Sequence, residues 1–179
     1  MTPATKNRHP DGDLSFEELY DRYFEPVNRY LRYRMDSAWD ADDLTTTVFM
    51  KALENFSKYR AEGPFSGWLF RIAHNVYVDY IRGRREYATN DVMLELAAGS
   101  DDGPEETVLQ GEEITRLRQL LKGLSPDYRD VVSLRYAAEL RFVQIAEVLG
   151  KSESAVRMLH HRAIKQLRQR YVREGGSAR

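Results

Sequence analysis

At 179 residues the chain is long for one compact unit and comfortable for two small ones, so two modest cores are expected. Hydrophobic residues at 42% and charged residues at 31% give a globular composition with a wet surface, which excludes a low-complexity chain. The absence of cysteine excludes disulfides, CxxC redox chemistry and thiolate zinc sites, and no stretch approaches the roughly 18 apolar residues of a membrane span.

The opening "MTPATKNRHPDGDLS" has no apolar leader core, and a cytoplasmic protein is the expectation. The net charge of -1 hides strong segregation. Between Glu86 and Glu113 every charged residue is acidic, whereas Lys151 to Arg173 is basic apart from Glu153. A basic block of this kind is an electrostatic footprint for a polyanion.

Every periodic stretch repeats near 3.6 residues, and an all-α fold is expected: two small helical domains joined by an acidic flexible linker, the second containing a helix-turn-helix. Residues 1-13 are expected to be disordered. Ser15 and Glu18 form a capping box, and Phe16, Leu19, Tyr20, Tyr23, Phe24, Val27, Tyr30 and Leu31 then recur at three- and four-residue steps to about Met35. Asp40 is placed to cap a second helix, with Leu44, Val48, Ala52, Leu53 and Phe56 inward, and Pro64 suits the first turn of a third. Together they make a first domain over 14-86. The third helix, "FSGWLFRIAHNVYVDYIRGRR", has a core stripe around Trp68, Ile72 and Val76, while Phe70, Arg71, His74, Asn75, Val78 and Arg82 fall on its other side.

Residues 87-111 break the pattern with Gly, Pro, Ser, Asp and Asn under uniform negative charge, and read as an extended linker. A second domain is expected over 112-173, with 174-179 disordered. Ser125 and Pro126 start one of its helices, and Asp127 and Asp130 lie near that helix's positive end.

"FVQIAEVLGKSESAVRMLHH" has helix-turn-helix spacing: small Ala146 where helices approach, Gly150 where the turn asks for positive φ, Val156 closing the core. Ser152 caps the second helix. Val156, Leu159, Ala163 and Leu167 fall on one stripe, and Ser154, Arg157, Met158, His161, Arg162, Lys165 and Arg168 on the opposite one. A basic, polar face beginning near a helix N-terminus is how a recognition helix presents itself to the major groove. The adjacent His160 and His161 have the wrong spacing for metal ligation from one helix face. No metal, no cofactor and no catalytic residue is assigned.

From Phe16 to Tyr171 the sequence resembles the bacterial sigma factors, specifically the extracytoplasmic-function (ECF) group of the sigma-70 superfamily. The first domain carries the resemblance in "DADDLTTTVFMKAL", "FSKYR" and the third helix; the second in "LSPDYRDVVSLRYAAELRFVQIAEVLGKSESAVRMLHHRAIKQL". The resemblance implies a non-enzymatic subunit that binds core RNA polymerase at its clamp and flap and directs promoter-specific initiation. By resemblance Asp43, Thr46, Thr47, Met50, Leu53 and Glu54 bind polymerase, with Thr46-Thr47 standing where the family usually has Gln-Glu. Minus-ten reading and strand opening fall to Lys51, Tyr59, Arg60, Phe70, Arg71, His74, Asn75, Val78 and Arg82. Minus-thirty-five reading falls to Ser152, Glu153, Ser154, Arg157, Met158, His161, Arg162 and Lys165. An anti-sigma partner is likewise implied, as is a linker that threads polymerase.

The rival reading is a stand-alone helix-turn-helix regulator whose first domain dimerises or senses a signal. An enzyme built on His74 and Asp79 is disfavoured, because five residues on one helix set them roughly 140° apart.

Overall fold

The computed structural model describes residues 10-60, 63-90 and 108-173, and every regular element among them is helical. Seven α-helices follow in order: α1 (Phe16–Arg32), α2 (Ala38–Asn55), α3 (Phe65–Asn90), α4 (Val108–Lys122), α5 (Pro126–Tyr136), α6 (Phe142–Leu149) and α7 (Glu153–Arg173).

Local chemistry sets most boundaries. Ser15 Oγ accepts from Glu18 N at 3.2 Å and Glu18 returns the contact to Ser15 N at 2.8 Å, so the capping box forms as the sequence implies. Helix α1 ends at Arg32, three residues before the expected Met35. Asp40 does not cap α2; Ser37 does, accepting from Asp40 N at 3.2 Å. Helix α3 begins at Phe65, just after Pro64, and runs to Asn90, beyond the expected boundary at 86.

Part of the expected disordered N-terminus is ordered. Pro10–Asp13 form a 3-10 turn, and buried Asp11 accepts from Arg22 Nη1 at 2.8 Å, Tyr23 OH at 3.2 Å and the backbone N of Phe65 at 3.2 Å. A carboxylate thereby meets the positive end of α3. Residues 1-9, 174-179 and most of the expected linker (91-107) lie outside the described residues.

Helices α1, α2 and α3 pack on one another as a first module, and α4 to α7 as a second. The two modules are packed together, α3 against α6, where the sequence suggested independent domains. One continuous apolar core runs from Leu19, Leu31 and Leu69 through Phe70 to Leu134, Ile145 and Val156. Polar contacts cross the same seam. Arg29 Nε and Nη2 donate to Ala137 O at 3.1 and 2.9 Å, Arg71 Nη2 to Glu147 O at 2.9 Å, and Gln144 Nε2 to Ser66 Oγ at 2.9 Å. Arg34 pairs with Asp130, and Lys122 with Asp36.

Candidate nucleic-acid interface

The turn between α6 and α7 is fixed by one backbone requirement. Gly150 ends α6 at φ 63°, ψ 35°, its N–H bonded to Ala146 O, and Lys151 N also reaches Ala146 O at 3.0 Å. That left-handed conformation suits glycine, and it lets α7 leave α6 at an angle. Ser152 Oγ accepts from Ala155 N at 3.2 Å and starts α7. Val156 and Ala163 are buried, leaving the opposite face to solvent.

On that face Ser152, Ser154, Arg157, Met158, His161, Arg162 and Lys165 are exposed and Glu153 half-exposed, so the whole set read from the sequence stands together. Arg157 is held in place: Nε and Nη2 donate to Glu153 Oε1 at 3.0 and 2.5 Å, and its guanidinium lies 4.7 Å from the Phe142 ring centre. His160 is half-buried, Nε2 3.0 Å from Tyr136 OH, and burial, then Arg135 and His161, lowers its pKa. It therefore favours the neutral form and packs rather than binds.

The set assigned to α3 divides. Asn75 and Arg82 are exposed, as are Lys51 on α2 and Arg60 beyond it. Phe70 is not on an outer face: it is fully buried, edge-on to Tyr30 at 5.7 Å. The correction has a geometric reason. Ser66, Phe70 and His74 recur at four-residue steps with Arg71 beside them, and Ser66 and Arg71 bond to α6, so this stripe is the seam between modules. Val78 is packed against the same core, and Tyr77 is buried. His74 Nδ1 lies 3.3 Å from Tyr30 OH; burial lowers its pKa most, Asp130 opposes, and Arg34 adds to the lowering.

Tyr59 is half-buried, its ring 5.3 Å from Phe65 and 5.4 Å from Trp68, and its hydroxyl donates to Gly63 O at 2.7 Å. Burial, then the Asp11 charge, pushes its pKa up to about 12, keeping the hydroxyl neutral. Tyr59 thus closes the α3 end of the first module as an aromatic cluster.

On α2, Asp43, Thr46, Thr47, Met50, Leu53 and Glu54 all face solvent, Met50 at 60% and Leu53 at 58% exposure. Leu53, also expected inward, is therefore outward only. The Thr46 and Thr47 hydroxyls donate to Asp42 O and Asp43 O at 3.1 and 3.0 Å, so both are engaged within their own helix. Trp39, 65% exposed, extends the stripe one turn and was missed. Its spacing of four before Asp43 was a readable signal. The Arg34–Asp130 pair was also missed, and nothing local marks it.

The fold and these surfaces define a two-module helical protein with a recognition-type helix at one end and an apolar, acid-bearing stripe at the other. The model for "Sigma-70 region 2" matches residues 19–87, and that for "Sigma-70, region 4" matches 120–169; neither is a catalytic family. The ECF RNA polymerase sigma factor BldN of Streptomyces coelicolor is 33% identical over 157 residues, covering 86% of this chain and 59% of that one. The RNA polymerase sigma factor YlaC of Bacillus subtilis is 31% identical over 156 residues, covering 86% and 90%. The chain belongs to the sigma-70 family of RNA polymerase sigma factors, in its extracytoplasmic-function group. In fold it resembles the sigma factor RpoE in complex with the anti-sigma factor NepR from Bartonella quintana, with TM-score 0.70 at 20% identity over 86% of this chain and 94% of that one. Among the described residues no helix is long and apolar enough to cross a membrane.

Proposed function

We propose that the chain is the promoter-specificity subunit of a cytoplasmic RNA polymerase: the α2 stripe docks on the core enzyme, α7 reads the minus-thirty-five duplex, and α3 with the Tyr59–Arg60 loop captures the minus-ten strand. The observation that carries this reading is the exposed basic face of α7 beyond the left-handed Gly150 turn, combined in one chain with the exposed Trp39, Met50 and Leu53 stripe. Arg157 and Arg162 are the base-reading candidates, because a guanidinium matches the two acceptors on a guanine edge. Lys165 positions the helix through phosphate and carries the salt dependence.

Asn75, Lys51, Arg60 and Arg82 supply donors and cations for an unstacked strand, whose cost of a few kcal/mol per step is offset by stacking and backbone contacts. The solved RpoE chain is in complex with an anti-sigma factor, which supports a protein inhibitor for this chain too. Promoter-dependent transcription with purified core polymerase tests the reading. A start site that appears only when the chain is added supports it; no such product from any promoter of the source genome refutes it.

A further inference from the structure

We infer that Asp11 is a positioning residue for the strand-capturing end of the first module: from the 3-10 turn Pro10–Asp13 it sets where Tyr59, Arg60 and the start of α3 stand. The inference rests on the sigma-factor reading above and adds to its minus-ten site a residue upstream of the matched stretch, 19–87.

Asp11 is only 3% exposed, and its carboxylate meets donors from two helices. Oδ1 accepts from Arg22 Nη1 at 2.8 Å, and Oδ2 accepts from Tyr23 OH and from the backbone N of Phe65, both at 3.2 Å. Phe65 N belongs to the first turn of α3, where no carbonyl of the helix can satisfy it. The carboxylate therefore caps α3 across 54 residues of sequence while it is tied to α1. The positive end of α3 is filled from within the chain, so holding the backbone of a captured strand falls to the exposed Lys51 and Arg60.

What is fixed at Phe65 is passed on to Tyr59. The buried Phe65 ring lies 5.3 Å from Tyr59, 5.3 Å from Trp68, 6.2 Å from Phe56 and 5.5 Å from Tyr23. Tyr59 OH donates to Gly63 O at 2.7 Å, which joins the segment after α2 to the approach of α3. Arg60 follows directly, so its reach toward a strand depends on where Tyr59 sits. Gripping an unstacked base requires placement to within about 0.5 Å, and a supporting side chain behind the contact can supply it. Burial keeps Asp11 from touching DNA itself, so its effect passes only through the groups it holds.

Removing the carboxylate takes this acceptor from the buried Phe65 N and from Arg22 and Tyr23. The test uses core polymerase carrying the full chain and two fluorescent single strands. One copies the minus-ten region of a promoter that the parent chain transcribes, and the other has the same bases scrambled. Asp11→Ala should cut the preference for the first strand about fivefold, with affinity for core polymerase and for minus-thirty-five duplex at the parent's value. Asp11→Asn keeps one oxygen for Phe65 N and should cut the preference about twofold; it carries the test if Asp11→Ala melts below the assay temperature. A merely stabilising role would lower the bound fraction of both strands together. An unchanged ratio therefore overturns the inference.

A second measurement needs no polymerase. The chain has two tryptophans, so Trp39→Phe leaves Trp68, packed on Tyr59 and Phe65, as the single indole emitter. In that background Asp11→Asn should raise acrylamide quenching of Trp68 about twofold with helical circular dichroism unchanged. Equal quenching overturns the positioning role. If the parent holoenzyme prefers neither strand, the sigma-factor reading is what fails, and Trp68 quenching still decides whether Asp11 holds this cluster.

Discussion

Arg34 and Asp130 meet inside the joint core as an ion pair whose side chains are 3% and 15% exposed, one from each module. Charges this deep gain little net stability as a pair but are expensive to orphan. Arg34→Met alone should cost about 3-5 kcal/mol of folding stability, because Asp130 loses its counter-charge. Arg34→Met with Asp130→Leu should recover most of that loss, since apolar replacements of similar volume suit the surrounding Tyr30 and Tyr77. Urea unfolding of the two singles and the double measures the coupling, and additive losses would show that the residues do not act together.

Phe70 and Trp68 exchange the roles their positions suggested. Trp68 lies on the sequence-derived core stripe but is only partly buried, against Tyr59 and Phe65, whereas Phe70 is fully enclosed. Phe70→Ala should therefore destabilise by about 3-5 kcal/mol through the cavity it leaves, and Trp68→Ala by less. Denaturant midpoints at unchanged slope check the order.

That exchange shows what the sequence could reveal. The capping box at Ser15 and Glu18, the left-handed Gly150, buried Val156 and the exposed basic stripe of α7 all depend on neighbours within about two helical turns, and all were legible. The exposure of the α2 stripe was legible for the same reason, although Trp39 was overlooked. Phe70 was misplaced because periodicity shows that a helix has two apolar faces, but not whether the second meets a ligand or a distant part of the same chain. Arg34, Asp130 and Asp11 were invisible because their partners lie far along the chain. Acidic composition suggested that the modules would stand apart. Complementary apolar faces on α3 and α6 bring them together instead.

His74 makes the fold sensitive to acid. Its Nδ1 lies 3.3 Å from Tyr30 OH; burial depresses its pKa most, Asp130 of α5 opposes, and Arg34 adds to the lowering. The unfolded chain thus takes up the proton more readily than the folded one. The stability this residue contributes is fully present above the free histidine value of about 6.5 and declines as pH falls below it. Urea unfolding read between about pH 5 and 8 should show stability falling toward acid. His74→Gln should flatten that dependence; an unchanged profile would show that His74 does not carry it.

Arg157 and Arg162 should contribute unequally to the minus-thirty-five site. Arg157 is already oriented by Glu153 and by the Phe142 ring, so little further freedom is lost when it meets a base. Arg157→Ala should reduce discrimination at one base position by about 1-3 kcal/mol, and Glu153→Ala should weaken the same preference indirectly. Lys165→Ala should lower affinity for all duplexes and reduce the salt slope by about one. Selection from a randomised duplex pool, followed by titration at several salt concentrations, separates the two behaviours.

Asn75 tests the proposed strand-capturing role of α3, because it stays exposed on that helix while Phe70, Arg71 and His74 are engaged at the seam. Its amide offers both donors and an acceptor to a base edge, and among the described residues it makes no side-chain hydrogen bond that replacement by a methyl group would remove. Asn75→Ala should therefore leave thermal stability and core-polymerase affinity within error while weakening transcription from promoters that differ only in the minus-ten element. The comparison needs a promoter series with fixed minus-thirty-five sequence, so that α7 contributes equally throughout. If Asn75→Ala transcribes like the parent across that series, base reading on α3 must pass to Lys51, Arg60 or Arg82, and the assignment of this helix face falls.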